Sequence, residues 1–411
     1  MTVQRLRILH LLGNGRLAAM PDGAPMSGVV RAVLELAKSQ ATRGHDVTVA
    51  GLADATWTGQ WHGCSLVGLQ PVRVAKVSVA GRVVDLSRHF AFVFFSWRHR
   101  FDVVHGHLHP FLRWVRGRIK VVHFHADPFF KGTTDLDVSW SRQDFCSAAR
   151  HSDLGVSVSG FLGERVRTGF EGMEYPLYVV ENGVDPEYFS LGSVSEMRDR
   201  ARLSWNVSGD AVVCLFVGAI TPEKGLRELA RGFVRAAEAV SNLVLVIVGE
   251  GSLWGTNLGG LAQMSEYEGA IRSFLEPLVR SGRVFFIGKV AANEIPVALV
   301  GADFVVVPSV RTIVQESFGL VALEAMAVGR PVIVSQSGNL PYLVSDGEGE
   351  VVDELDDDAL VACLVHAATD AQWRSEKGLQ ARVQARSRTW SKAAERLDGL
   401  YAIHLKKGRG R

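Results

Sequence analysis

Short apolar runs rich in β-branched residues alternate with helical patterns along most of this chain, and that alternation constrains its fold more than any other feature. Arg7 to Leu12 reads as a buried strand, the loop Gly13 to Gly28 follows, and Val29 to Thr42 has a helical pattern ended by Gly44. Val47 to Gly51 is the next strand, completing a strand–helix–strand unit that predicts parallel pairing. Phe101 to Val104, Ile119 to His123, Gly155 to Ser159 and Leu177 to Val180 read as later strands of this series, the last running into an Asn182-Gly183 turn. Residues 186–210 are mixed and charged and are predicted to connect two halves.

A second series follows, with strands at Val212 to Val217, Leu243 to Val248, Val284 to Ile287, Phe304 to Val307 and Pro331 to Val334, and a helix from Gly225 to Ala239. The stretch from Asp370 to Leu405 is predicted to be largely helical. At 411 residues the chain is long for one core, and two domains of about 180 residues fit better. The expected fold class is α/β, with two doubly wound domains facing across a cleft, where open sheets bind ligands.

Cys64, Cys146, Cys214 and Cys363 are scattered without metal-ligand spacing or disulfide density, which predicts a reducing, cytoplasmic setting. Arginines ahead of an apolar run near the start look like a signal peptide, but the run is short and ends in a glycine turn, as a first strand would. No uncharged stretch approaches the roughly 18 residues of a membrane-spanning helix. Net charge is +2, yet residues 1–120 hold sixteen Lys or Arg against six Asp or Glu. Arg88-His89, Trp97-Arg98-His99-Arg100 and Arg113-Trp114-Val115-Arg116-Gly117-Arg118 are basic and aromatic. They read either as a solvated face or as a contact for anionic lipid or an acidic substrate. No zinc-finger or RNA-binding motif accompanies them, so nucleic acid is not an expected partner.

The densest chemistry lies between Val310 and Glu324. Glu316 and Glu324 flank the tight Ser317-Phe318-Gly319 segment, after a strand ended by Pro308-Ser309 and before a helix that Gly329-Arg330-Pro331 stops. A carboxylate, a bare glycine backbone and a helix N-terminus together can receive sugar hydroxyls and an anion. Glu316 is expected to face the cleft and Glu324 to lie about one turn into the helix. That arrangement suits two hydroxyl contacts along an extended ligand better than an acid/base pair; two isolated glutamates at this spacing would otherwise be surface carboxylates.

Gly13 to Gly28 lacks a dinucleotide fingerprint, but Ser27-Gly28 directly precedes a helix and can bring backbone N–H groups to a phosphate. Between Gly218 and Gly225 there is no Walker ending, and Lys224 offers a point charge at a helix threshold. His105, His107 and His109, with His123, His125 and Asp127, crowd two strand ends. Spacing by two can present zinc ligands, but no Cys accompanies them and no metalloprotease motif occurs, so no metal is predicted. One or two are expected to be structural, with His125 beyond the strand end and able to hydrogen-bond a substrate hydroxyl.

Taken together, these pieces resemble the GT-B glycosyltransferases of family 4. The resemblance runs from Ser27-Gly28 and Arg43-Gly44-His45-Asp46-Val47, through the paired histidine strands and Glu181-Asn182-Gly183-Val184-Asp185, to Pro222-Glu223-Lys224-Gly225 and the Glu316–Glu324 stretch, ending in Trp390 and Leu400-Tyr401. It implies two Rossmann-like domains, 1–190 on the acceptor side and 191–375 on the nucleotide-sugar side, with a helical tail, 376–411, crossing back to the first.

The resemblance also implies a retaining hexosyltransferase that uses a nucleotide diphosphate sugar, a UDP-sugar above all, and an acceptor hydroxyl of a small molecule or lipid-linked glycan. No tightly bound cofactor and no obligatory metal are implied, and peripheral contact with the inner face of a membrane is an expectation for the basic first domain. By position, Glu316 would contact the donor sugar and Glu324 the ribose. Amides around Phe318, Gly319 and Leu320 would receive the diphosphate with Lys224, and His125 matches the active-site histidine. Gly28 matches the loop glycine near the phosphate, and backbone at Lys289-Val290 would face the base.

Two positions depart from the family pattern: Ala219 stands where an arginine is usual, and Tyr342 where an acid is usual. The missing charge would come from Arg311 or the basic first domain, and Asp127, Asp135 and Asp137 could balance a cationic acceptor. The alternatives are a non-catalytic sugar-nucleotide-binding protein and a sugar phosphorylase of this architecture; for the latter no lysine context for pyridoxal phosphate is evident.

Overall fold

The computed structural model describes residues 4–24, 26–71, 77–79, 82–84, 87–107, 112–128, 142–170, 172–185, 194–251, 261–311, 315–344, 347–353 and 356–407. The first ten strands are β1 (Arg7–Arg16), β2 (Asp46–Leu52), β3 (Trp57–Trp61), β4 (Cys64–Leu69), β5 (Val77–Val79), β6 (Arg82–Val84), β7 (Val103–His107), β8 (Ile119–Phe124), β9 (Leu154–Ser157) and β10 (Leu177–Val179). Among them run α1 (Gly28–Thr42), α2 (Ser87–Arg98), α3 (Arg142–Arg150) and α4 (Gly160–Gly169). Eight of these strands form one sheet in the order β10-β9-β8-β7-β1-β2-β4-β3, and β5 and β6 make a separate hairpin. Every neighbouring pair in the large sheet is parallel except β3 with β4.

The second half opens with α5 (Val194–Ser204) and continues through β11 (Val212–Val217), α6 (Leu226–Ala239), β12 (Leu243–Val248), α7 (Leu261–Arg280) and β13 (Val284–Gly288). Then come α8 (Ile295–Gly301), β14 (Phe304–Val307), α9 (Leu320–Ala327), β15 (Val332–Ser335), α10 (Leu340–Leu343) and β16 (Gly349–Val352). Helices α11 (Asp357–Thr369), α12 (Ala371–Ala385) and α13 (Trp390–Lys407) finish the chain. Its six strands are all parallel, in the order β13-β12-β11-β14-β15-β16.

Each sheet reverses its strand order once, between β1 and β7 in the first and between β11 and β14 in the second. Loops leaving the two strands at such a point diverge to opposite faces and leave a crevice at their carboxyl ends. The second crevice is bounded by the loops that carry Lys224 and Glu316.

Helix α13 returns to the first sheet. Its Leu397, Leu400 and Tyr401 share a buried cluster with Ile8 and Leu12 of β1 and Val33 and Leu36 of α1. Asp398 accepts from Arg43 Nε at 2.6 Å and lies 3.1 Å from His45 Nε2. At the helix start, a Cβ on Gly183 would stand 2.1 Å from the Trp390 backbone nitrogen, so only glycine allows the Asn182-Gly183 turn to lie against it.

Three sequence expectations shift. The strand expected at Phe101 to Val104 instead runs through His107, because its imidazoles point into a sealed layer rather than to solvent, and that expected to end at His123 reaches the buried Phe124. The β3–β4 pair and β16 fall where no strand was expected. Within the expected connection 186–210, Val194–Ser204 is a helix packed on α8, and residues 186–193 lie outside the described residues. Part of its charge turns inward: Arg198 and Arg202 both pair with Asp303, and Arg202 also donates to the carbonyls of Gly301 and Ala211.

Candidate functional site

At the end of β14, Pro308-Ser309 turns the chain, and Glu316 follows on the loop ahead of α9. Glu316 is held by its backbone: its N–H donates to Ser337 Oγ at 3.2 Å and its carbonyl accepts from Asn339 N at 2.8 Å. Gly319, the residue before α9, has φ of 95°, and a Cβ there would meet Leu340 at 2.6 Å. This left-handed step starts α9 with the Gly319 N–H on the Glu316 carboxylate.

Lys224 donates to Glu316 Oε2 at 2.7 Å, and Ser309 Oγ donates to the same oxygen at 3.3 Å. Burial alone would raise the Glu316 carboxyl; the Lys224 charge and hydrogen bond, with help from Ser309 and the Gly319 N–H, more than offset it and hold the group below its ordinary value. Lys224 moves up: burial would lower it, but the Glu316 charge and hydrogen bond, with the Glu223 charge, together more than offset that. The pair is therefore ionised at neutral pH.

Glu324 lies on α9, 2% exposed. One carboxylate oxygen pairs with Arg31 of α1, and the other, Oε2, is sealed from solvent without a hydrogen-bond partner. The first sheet thus supplies a cation to a carboxylate on the second half. Ser159 Oγ, at the start of α4, also crosses, donating to the Ser317 carbonyl at 2.6 Å, and Ala292 N donates to the Ala24 carbonyl at 3.3 Å.

The remaining expected residues distribute as follows. Gly28 opens α1 beside its N-cap Ser27, three positions before Arg31. Lys289 and Val290 directly follow β13; Lys289 Nζ is 3.2 Å from Glu250, and Val290 packs on the core. Phe318 is buried, so that residue presents backbone rather than ring. Leu320, the first residue of α9, packs against clusters of both halves.

Arg311 pairs instead with Asp353 at 3.1 Å and Gln336 at 3.3 Å, and Asp127 pairs with Arg165 at 2.8 Å. Ala219 is buried, and Tyr342 is 66% exposed on α10. His109, Asp135 and Asp137 lie outside the described residues. Arg31 was missed by the sequence reading; the signal present was its place one turn after Ser27-Gly28.

On the first sheet, parallel register sets His10 beside His105 and His107 beside His123, and alternation along each strand keeps His10, His105, His107 and His123 on one face, with His125 just beyond the strand. All five are buried. His125 Nε2 is 2.8 Å from His107 Nδ1, and His107 Nε2 is 2.8 Å from His10 Nδ1. His10 Nε2 is 2.6 Å from Gln40 Oε1, whose amide nitrogen donates to Tyr401 Oη at 3.3 Å. Tyr401 Oη is 2.6 Å from His105 Nδ1, and His105 Nε2 is 3.0 Å from His123 Nδ1.

Burial lowers all five imidazoles; neighbouring rings assist at His105, His107, His123 and His125, while at His10 the Gln40 hydrogen bond opposes it in part, with His10 at about 4 and His125 at about 3. Nitrogens of His10, His105 and His107, and of His107, His123 and His125, lie within 4.8 Å of one another, as a shared cation would require. In each set, though, ligation would break a ring-to-ring hydrogen bond, so the arrangement is a hydrogen-bonded string of neutral groups. Where one or two structural histidines were expected, the string takes four besides His125.

Two sequence families match. The pattern described as "Glycosyl transferases group 1" covers residues 197–384, and that described as "Glycosyltransferase Family 4" covers residues 26–188. The chain belongs to glycosyltransferase family 4. Among curated members, it is 34% identical over 194 residues to a glycosyltransferase of Methanocaldococcus jannaschii, covering 46% of this chain and 44% of that one. It is 31% identical over 232 residues to the D-inositol 3-phosphate glycosyltransferase of Corynebacterium kroppenstedtii, covering 56% and 49%. The chain thus spans about half the length of the curated relatives it matches.

Solved structures agree on the fold. Sucrose-phosphate synthase from Thermosynechococcus elongatus superposes with a TM-score of 0.77 at 20% identity, covering 98% of this chain and 100% of that one. Anabaena HepE, in complex with UDP and glucose, gives 0.71 at 18% identity, covering 97% and 100%. The family 4 fold of this chain is therefore GT-B, two Rossmann-like parallel sheets.

Proposed function

We propose that this chain is a retaining hexosyltransferase that moves a sugar from a nucleotide diphosphate donor, a UDP-sugar, to an acceptor hydroxyl. The observation that carries this reading is Glu324 Oε2, a buried carboxylate oxygen without a hydrogen-bond partner on α9, the helix that follows Glu316. Buried acceptors of this kind are rare unless a ligand or water completes them, and a ribose hydroxyl is the matching donor. The complex of HepE with UDP and glucose supports the donor class.

In this reading Glu316 accepts from the donor-sugar hydroxyls, and Lys224 turns from Glu316 to the diphosphate. The amides of Phe318, Gly319 and Leu320 complete the phosphate cradle, with Gly28 approaching from the first sheet. Backbone at Lys289 and Val290 flanks the base, and His125 meets a sugar hydroxyl. Arg31 supplies charge that Ala219 does not. The bond from the anomeric carbon to the diphosphate breaks while the acceptor oxygen bonds on the same face, and the acceptor proton passes to the leaving diphosphate. Fixed charges and amides aimed at that diphosphate lower the barrier without needing to reorganise. No metal is assigned a role.

The division into domains 1–190 and 191–375 with a returning tail, 376–411, belongs to this proposal. So does a small-molecule or lipid-linked acceptor. For the latter, Phe94 and Trp97 are each 61% exposed on α2, and Arg116 lies 5.8 Å over the Trp97 ring, a pairing suited to an anionic interface. Among the described residues no helix is long and apolar enough to cross a membrane.

The test is thermal stabilisation of the protein by UDP, GDP and ADP and by their sugar conjugates. A selective shift with the uridine series, abolished in a folded Glu316→Ala variant, is expected. Absence of a shift with every nucleotide at millimolar ligand would overturn the reading.

A further inference from the structure

Five neutral imidazoles in one buried string obey a strict rule. Each neutral ring has one N–H and one lone pair, so a ring that donates at one nitrogen accepts at the other. The sense of the whole string is then fixed by any member whose donor and acceptor atoms cannot exchange roles. Gln40 is that member: its oxygen faces His10 and its amide nitrogen faces Tyr401.

Starting from Gln40 Oε1, His10 must carry its proton on Nε2, leaving Nδ1 bare. His107 then donates from Nε2 and is bare at Nδ1, and His125 in turn donates inward from Nε2. In the other direction Gln40 donates to Tyr401, Tyr401 donates to His105 Nδ1, and His105 donates from Nε2 to His123 Nδ1. The two ends are therefore in opposite states. His125 ends the string with a bare Nδ1 that no described residue partners, and His123 ends it with an N–H at Nε2, sealed in without a partner. A half-turn of one amide would reverse every bond.

We propose that Gln40 is a positioning residue that, through His10 and His107, holds His125 in the tautomer whose remaining nitrogen is a hydrogen-bond acceptor. Rings with both nitrogens free to water would exchange tautomers; here the protein makes the choice 85 positions away in sequence, on α1, with Tyr401 of α13 holding the other side of the amide. The consequence for a ligand rests on the functional reading above, because His125 would receive a sugar hydroxyl's proton in a hydrogen bond rather than donate to its oxygen. The tautomer itself does not depend on that reading.

The experiment is nitrogen NMR of protein labelled with 15N-histidine, with His125 and His123 assigned by His125→Asn and His123→Asn. In the unmodified protein, His125 should show a bare Nδ1 and a protonated Nε2, and His123 a protonated Nε2. In Gln40→Met, of similar volume but without the amide, the His125 signals should move toward a mixture of both tautomers. A protonated Nδ1 on His125 or a bare Nε2 on His123 in the unmodified protein would overturn the proposal. So would an unchanged His125 in folded Gln40→Met, since a merely structural Gln40 would lower thermal stability without moving the tautomer. Should Gln40→Met not fold, the two signals of the unmodified protein still decide. Loss of nucleotide binding, by contrast, would speak only to the functional reading.

Discussion

The carboxyl ends of the two sheets carry opposite chemistry. On the first sheet the polar groups are neutral imidazoles joined by hydrogen bonds, and burial keeps them neutral. On the second they are full charges in pairs, Lys224 with Glu316, and Glu324 with Arg31, which reaches across from α1 of the first half. The difference follows from what can be compensated. A buried charge is tolerated when an opposite charge sits against it, whereas a ring among other rings is cheapest without its proton. It also suits a ligand with two unlike ends, one anionic and one carrying only hydroxyls.

Acid should break the comparison from the first-sheet side, and this is the largest effect expected. Each imidazole binds its proton more weakly folded than unfolded, so the unfolded chain takes up protons that the folded one refuses. Stability is complete above pH 6.5 and falls as pH drops toward about 4, with His10 alone contributing on the order of 3 kcal/mol. Melting temperature measured across that window should drop steeply, and replacing His10 with Leu should flatten the curve. A flat profile in the unmodified protein would mean that the imidazoles are not sealed.

The ionic side depends on backbone approach. Gly225, directly after Lys224, has φ of 73°, and a Cβ there would lie 1.8 Å from the Pro308 carbonyl oxygen. Gly225→Val should cost about 4 kcal/mol in denaturant unfolding, from strain and clash together.

Glu316→Ala should leave the fold standing while lowering nucleotide-sugar turnover roughly 100-fold, the loss of a charged hydrogen bond in a partly buried site. Equal turnover in that variant would remove the second-sheet site from the chemistry.

The smallest expected effect is at the junction with α13. Tyr401→Phe removes the hydroxyl shared by Gln40 and His105 and should cost about 2 kcal/mol in unfolding free energy. A change below a few tenths would mean that Tyr401 contributes packing alone.

Much of this was legible in the sequence. Val212–Val217, Leu243–Val248 and Phe304–Val307 are strands over the whole of their expected ranges, because short uninterrupted apolar runs rich in valine, each ended by a glycine or a proline, have few other solutions. The site around Glu316 could be read for the same reason, since strand, turn glycine, carboxylate and helix start lie within one short segment. The strand end at His107 could not, because periodicity reads a histidine as polar, and only a neighbouring ring makes it an interior residue.

The sequence by itself therefore determined the alternation of strands and helices, the two-sheet architecture and the local geometry of the Glu316–Glu324 loop. The elements and the loop depend on residues within a few positions of one another, and the two sheets on the repetition of such units along the chain. Tertiary structure alone decided which cation meets Glu324, which amide orients the histidines and what Asp398 clamps. Gln40 and Tyr401 are 361 positions apart, and no local pattern encodes their meeting. It arises because α13 buries its apolar face against α1, and once there the buried polar groups must find one another.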